Sequence, residues 1–422
     1  MPPNRPQDLP EYASRAGDPC FPPPYVVDEA GMDIFICEGD AVALGRMIER
    51  ALNIPTEHHF GGRDKLQFEL ADHHVGFACI DVMRLLSKPS PGQQVKPGLP
   101  ANGVYAHQTE IAVMVQIKDN EGLPYWYLPY VLNGLPAAVT SGREIYGYPK
   151  QHATFTADNG GRRPLFGPNR RWSNRLVVRA YDLKFNRKGD QAEFTLVPVL
   201  EFRKGGTGEV IAIAPEREPF ASPATPAGPR PDDFEIYPGR APVTAGAAAA
   251  GGRVAQSIPV AARSATQREM PQEGAGTAFL QRIRSDVPYV FLRQFRDPER
   301  ESFASYQAVV IGRLVPSPSD NLSVVRPDEF SLVVPWAYNL ALAEQLFGLA
   351  RDPGRPLPVV GLLSGDHATF DVLRASVLWQ FGWDLRTDDQ VMSQFDSWRK
   401  ELLRARSAGS SLEAPTSAGT DR

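Results

Sequence analysis

One lysine in this chain sits in a setting that suits a nucleophile. In the run Ser141-Gly142-Arg143-Glu144-Ile145-Tyr146-Gly147-Tyr148-Pro149-Lys150-Gln151 it follows a proline in an aromatic, glycine-hinged turn. Pro149 restricts the backbone just ahead of Lys150, and Tyr146 and Tyr148 are expected to wall off water. An amine attacks a carbonyl only when neutral, whereas an ordinary lysine titrates near ~10.4. Burial in an apolar pocket or a second cation nearby can supply the lowering that such chemistry needs. The competing reading is a solvated lysine that ends a turn, the usual situation of lysines.

Other reactive residues are more ambiguous. Asp81 lies within the apolar run FACIDVMR, where an unpaired carboxylate is costly, so it needs a partner or a role. Arg84 is a candidate partner only if the strand ends there, because residues i and i+3 of a strand face opposite ways. Glu110 opens the run EIAVMVQI and is open to either solvation or function. His152 shares a strand face with Lys150 if the extended geometry continues. The pairs His58-His59 and His73-His74 consist of neighbours that project apart on a helix or strand, so neither pair is expected to hold a metal, although one histidine from each could converge. Asp366-His367 lacks a serine elbow and does not read as a hydrolase dyad. Cys20, Cys37 and Cys79 are far apart with no CxxC spacing, which suggests free thiols in a reducing cytoplasm and no structural zinc. Trp126, Tyr127 and Tyr130 read as core or oligomer packing.

The elements that must position these groups are mostly strands. Residues 25–38 read as two short strands, followed by a helix for which Asp40 is the N-cap and Leu44, Met47, Ile48 and Leu52 form the apolar stripe. Residues 77–86 read as a strand. Residues 109–133 read as a hairpin, EIAVMVQI and LPYWYLPYVL around the turn KDNEG. Further strand pairs are expected at 175–185 with 193–202 and at 287–295 with 305–315. Residues 330–350 should pass from strand into helix, and 370–383 is strand or helix by periodicity alone. Many antiparallel-type strands with few helices and no βαβ alternation argue for an α+β fold built on a large, mostly antiparallel sheet or barrel. No GxGxxG is present, which disfavours a dinucleotide fold.

The chain has 422 residues, with 40 Pro and 36 Gly, an excess over the ordinary shares of about 5 % and 7 %. They concentrate in 1–24, 87–104 and 215–276, so these read as loop-like or disordered segments set into a globular body. The net charge of −4 lacks the basic footprint of a nucleic-acid binder. Residues 1–15 contain no apolar signal core, and SLVVPWAYNLALA is interrupted by Pro335 and Asn339, so no membrane span is expected.

The segment GREIYGYPK resembles the active-site stretch of the acetoacetate decarboxylase family, in which Gly-Arg-Glu, Ile or Leu, three residues, then Pro-Lys supplies a Schiff-base lysine. PYVVDEAGMDIFICEGDAVAL is similar to the family's opening, FACIDVMR and YAHQTEIAVMVQI to its two carboxylate-bearing strands, PYVFLRQFRDPE to a later strand and turn, and GDHATFDVLRASVLWQF to its closing segment. The resemblance spans roughly 24–385. It implies one domain over 25–404 with insertions at 87–104 and 205–280, while composition alone marks a disordered leader at 1–24 and a disordered tail at 405–422. It also implies a sheet curled into a cone or barrel with a few flanking helices. Lys150 would be the nucleophile, with Asp81 and Glu110 flanking the iminium. Arg143, Tyr148 and Gln151 would line the substrate, Arg143 being alternatively a structural ion-pairing or hydrogen-bonding element. The implied activity is a carbon–carbon lyase on a small oxo acid or ketone, with no metal or organic cofactor, self-associating as a homo-oligomer, with neither nucleic acid nor membrane as partner. Two positions depart from the family: Gln151 stands where decarboxylases carry a second lysine, and Glu29 or Ala30 where they carry an arginine. Those departures keep aldolase-dehydratase or cyclase chemistry, and a non-catalytic ketone-binding role, alongside decarboxylation.

Overall fold

A computed structural model describes residues 25–55, 66–87, 104–205 apart from 159, 161, 173 and 186–190, 272–284, 287–296, 304–315, 322–327, 330–382 apart from 336, 338–339, 350–354 and 372–373, and 397–404 apart from 398 and 402. The leader, the loop at 88–103, the tail from 405, His58-His59, Cys20 and most of the 205–280 insertion lie outside these residues. The chain divides into a unit of residues 1–207 with 270–422 and another of 208–269, and every described residue belongs to the first.

Alternation of apolar and polar side chains produces long strands. β1 (Tyr25–Glu38), β2 (Phe68–Ser87) and β3 (Val104–Asp119) pair antiparallel in that order, with Gly31 opposite Asp81 and Ile80 opposite Glu110. The two short strands expected over 25–38 are thus one. β4 (Pro124–Tyr127) and β5 (Val131–Asn133) both pair with β3, so the second arm of the expected hairpin is split by residues 128–130. Next come β6 (Lys150–Ala157), β7 (Arg175–Phe185) and β8 (Ala192–Lys204). β9 (Tyr289–Arg296), β10 (Ala304–Val315), β11 (Ser323–Val325), β12 (Phe330–Val333), β13 (Pro356–Pro358), β14 (Gly361–Asp371) and β15 (Arg374–Gly382) complete the set. The sheet runs β11-β14-β1-β2-β3-β5-β6-β7-β8-β12-β13, with β4, β9, β10 and β15 off this path. Only the pairs β5–β6 and β4–β9 are parallel among the described strands.

The sheet curls. β1 and β8 are six steps apart on the path, about 29 Å if flat at ~4.8 Å per step, yet the rings of Phe35 on β1 and Phe202 on β8 lie 4.7 Å apart. Phe35 also meets Phe330 of β12 edge-on at 5.5 Å. The inward face carries the main core, including Phe77, Cys79, Ile111, Val113, Leu132, Ala153 and Val178. Helices among the described residues include α1 (Ala41–Ile48), α2 (Pro136–Ser141), α3 (Gln272–Arg284) and α4 (Leu342–Phe347). Asp40 caps α1 as its sequence suggests, accepting from the Ala43 amide at 2.8 Å. α3 begins inside the insertion that the sequence marks at 205–280 and is a helix rather than a loop-like segment. Its Phe279 and Leu280 pack with Met32, Ile34, Ala78 and Met114 on the second face of the sheet. No described helix is long and apolar enough to cross a membrane.

Candidate active site

Lys150 opens β6 because of the turn that precedes it. α2 begins with Pro136 at its first turn and runs into one π-helical turn, Gly142–Tyr146. Gly147 ends that turn with φ of 78°, a left-handed conformation that costs glycine little. A Cβ there would also come within 2.4 Å of Arg293 Cδ. The Tyr148 amide then donates to the Gly142 carbonyl at 3.0 Å, and the Val131 amide to Pro149 at 3.3 Å, which seats β6 parallel to β5.

Lys150 is only 9 % exposed. Its Nζ donates to Glu110 Oε2 at 2.5 Å. The same oxygen accepts from Asn133 Nδ2 at 2.6 Å and Gln108 Nε2 at 3.0 Å, so three donors converge on one carboxylate oxygen and hold its position. Strand register explains the meeting: Glu110 is opposite Asn133, and Val131, two residues earlier on that face, is opposite Lys150. The Tyr148 ring centroid lies 5.8 Å from Nζ, and that ring packs on Phe291 at 4.8 Å. Gly142 leaves room for the lysine stem, since a Cβ there would fall 2.5 Å from Lys150 Cδ and 2.7 Å from Cε. Sequence reasoning missed Asn133 and Gly142. The glycine lies within the motif, whereas Asn133 becomes visible only through the β3–β5 register.

Other expected site residues lie elsewhere. Asp81 is fully buried, but on the inward face with Phe77 and Cys79, while Glu110 is one residue from the inward-facing Ile111 and so projects to the second face. Asp81 accepts from Thr109 Oγ1 at 2.7 Å and the Leu165 amide at 2.7 Å, and pairs with Arg163, not Arg84. Asp33 does the same work beside it, accepting from the Gly167 amide at 2.9 Å, Arg170 Nη1 at 2.9 Å and Ser364 Oγ at 2.6 Å. Burial pushes the Asp33 carboxyl above its ordinary value against these partners. The two aspartates anchor the loop at 163–170 inside the curl. Gly31 permits the approach, since a Cβ would lie 2.2 Å from the Phe166 carbonyl. Asp81, expected beside the iminium, is thus placed against the loop at 163–170 and on the face opposite Glu110.

Arg143 donates to the Lys150 carbonyl at 3.2 Å, the structural alternative for that residue. Gln151 alternates with Lys150 and shares the face of Ala153 and Ala157, away from the amine. His152 projects to the lysine's face, where its ring meets Tyr181 at 6.2 Å. The side chains of Tyr146, Asp366 and His367 lie outside the described ones. Trp126 and Tyr127 are core residues, and Tyr130 donates from its hydroxyl to Gln345. Cys37 and Cys79 are free and buried; burial pushes the Cys37 thiol up to about 12 and Cys79 well above its ordinary value, which removes both as nucleophiles. A cavity of about 670 Å³ opens beside Pro149 between α1 and α4, lined by Arg46, Arg50, Tyr127 and Tyr130 among others, and Lys150 is not part of its wall.

His73 and His74 do not diverge as neighbours in a regular strand would. The β2–β3 register jumps between Leu70 and Val75, so residues 71–74 bulge opposite Gln116 alone, and the two imidazoles stack at 4.6 Å.

Buried amine, carboxylate at hydrogen-bond distance and an aromatic wall together form a set able to exchange a proton between an amine and an acid and to form an imine with a carbonyl compound. No protein-family profile and no curated protein matches the chain. Among solved structures it is similar to acetoacetate decarboxylase from Legionella pneumophila subsp. pneumophila str. Philadelphia 1, at 10 % identity and a TM-score of 0.40 over 87 % of this chain and 91 % of that one. It is similar also to the enduracididine biosynthesis enzyme MppR, complexed with the condensation product of pyruvate and imidazole 4-carboxaldehyde, at 10 % identity and 0.39 over 85 % and 91 %. A third is an acetoacetate decarboxylase-like enzyme from Sphingomonas wittichii RW1, at 10 % identity and 0.36 over 83 % and 92 %. At such identities and scores these likenesses assign no chemistry to the site.

Proposed function

We propose that the chain is a lyase that forms a Schiff base between Lys150 and the ketone of a small oxo acid and breaks the adjacent carbon–carbon bond with loss of carbon dioxide. The observation that carries this reading is the 2.5 Å contact between the buried Lys150 amine and Glu110. Glu110 takes the proton that the ammonium must lose before it can attack. The amine adds to the ketone carbon, and the resulting alcohol leaves as water, giving an iminium. Electrons of the bond to the carboxylate flow into that iminium as carbon dioxide departs, leaving an enamine. The proton that Glu110 took from the ammonium goes to the departing hydroxyl as the iminium forms, so a solvent proton relayed through Glu110 adds to the enamine carbon, and hydrolysis then releases the ketone and the free amine. Asn133 and Gln108 hold the carboxylate in place throughout, while Tyr148 shields one side of the amine.

A second reading, aldol condensation with dehydration or cyclisation through the same iminium, is favoured by the engagement of Arg143 with the Lys150 carbonyl, which leaves the substrate carboxylate without that cation. The full chain is assayed with a 3-oxo acid for carbon dioxide release, and with a 2-oxo acid plus an aldehyde for condensation. Lys150→Ala and Glu110→Gln should both abolish the activity found. Condensation without carbon dioxide release selects the second reading, and activity within a few-fold of wild type in Lys150→Ala sinks both.

A further inference from the structure

We propose that Glu38, His73 and His74 form a binding site for a divalent transition metal of the zinc class, independent of the Lys150 site. One ligand atom from each of the three lies within 4.8 Å of the other two. The bulge of β2 makes this possible: with residues 71–74 opposite Gln116 alone, two successive histidines turn the same way and stack at 4.6 Å, and the β1–β2 register puts Glu38 directly opposite His74.

Asp72 supplies the second observation. His74 Nδ1 lies 2.8 Å from Asp72 Oδ1. A carboxylate only accepts, so Nδ1 carries the hydrogen and Nε2 keeps the lone pair that a metal takes. A carboxylate that fixes the tautomer and orientation of a histidine in this way is the usual support of a metal-binding imidazole. The other Asp72 oxygen pairs with Arg282 of α3.

Two imidazoles and one carboxylate, with a remaining position for water, match the donor set of zinc sites with three protein ligands. Donors about 2.0–2.2 Å from such an ion stand roughly 3.4 Å apart. The donors, within 4.8 Å of one another, would have to draw together on binding, and the exposed Glu38 side chain is free of the packing that would resist this. His74 is six residues along β2 from Ile80, the partner of Glu110, about 20 Å at ~3.3 Å per residue. The site is thus separate from the amine and does not depend on the reaction proposed for it.

The test is calorimetric titration of Zn²⁺ into the full chain after treatment with a chelator, with Co²⁺ as a spectroscopic probe and Mg²⁺ as the control. The expected result is saturable binding of one Zn²⁺ per chain, a visible Co²⁺ spectrum of low-symmetry coordination displaced by Zn²⁺, and no binding of Mg²⁺. Glu38→Gln, on an exposed side chain that leaves the fold undisturbed, should weaken Zn²⁺ at least tenfold, and His74→Ala should abolish binding. Asp72→Asn should weaken it about 10- to 100-fold while both histidines remain. Absence of saturable Zn²⁺ binding, or binding unchanged in both Glu38→Gln and His74→Ala, overturns the proposal.

Discussion

Replacing Asp81 with alanine separates an anchoring carboxylate from a catalytic one. Its carboxylate is fully buried and accepts from the Thr109 hydroxyl and the Leu165 amide, both at 2.7 Å, as well as from Arg163. Alanine leaves two buried donors without that acceptor, at about 1–3 kcal/mol each. The Arg163 side chain is 32 % exposed and can turn to water, so its ionic part adds little. The expected loss is about 2–6 kcal/mol, a large share of the ~5–15 kcal/mol that holds an ordinary domain folded. Asp81→Asn keeps one acceptor oxygen and should lose about half as much. Urea unfolding followed by tryptophan fluorescence measures both losses, and imine formation per folded molecule should stay at the wild-type level, because Asp81 faces away from Lys150. A loss below about 1 kcal/mol in Asp81→Ala, or a fully folded variant that no longer forms the imine, would refute the anchoring role.

Two other perturbations probe the same reasoning. Gly142→Ala places a Cβ 2.5 Å from Lys150 Cδ on a backbone with φ of −64° that accepts alanine. Stability should change by less than about 1 kcal/mol, whereas imine formation, timed by stopped-flow trapping, should slow by roughly a hundredfold for a displacement near 1 Å; an unchanged rate would mean that the lysine stem is not held where described. Glu201 is buried, which opposes its charge, but hydrogen bonds from Arg175 at 2.8 Å and Arg203 at 2.6 Å hold its carboxyl below its ordinary value of 4.5. The folded state therefore binds this proton less readily than the unfolded chain, and the associated stability is present above about pH 4.5 and lost as pH falls below it. Glu201→Gln should flatten that acid limb in urea unfolding measured from pH 7 down to about pH 3; an identical slope would contradict the pairing.

Strand types, the α1 cap at Asp40 and the lysine turn were legible because each depends on neighbours in sequence. Alternation also held a signal for Asp81: it shares parity with Phe77 and Cys79, whereas Glu110 alternates with Ile111 and Val113. Those parities put the two carboxylates on opposite faces once the strands pair. Pairing of Asp81 with Arg163, and of Asp33 with the Gly167 amide, is a contact between distant segments that no local pattern announces. The His73-His74 bulge has a faint trace in the apolar positions, which run Phe68 and Leu70, then shift parity to Val75 and Phe77. The burial of Phe279 and Leu280 was hidden by a weakly apolar helix at the end of a Pro- and Gly-rich stretch, and its docking is a tertiary effect that composition does not reveal.

The proposed function requires that Lys150 form a covalent imine with an oxo acid. Borohydride reduction of the full chain mixed with a 3-oxo or 2-oxo acid, followed by peptide mass mapping, tests it directly. The expected result is an irreversible adduct confined to the peptide carrying Lys150 and absent from Lys150→Ala. No adduct with any oxo acid, or labelling of other lysines that persists unchanged in Lys150→Ala, would contradict it.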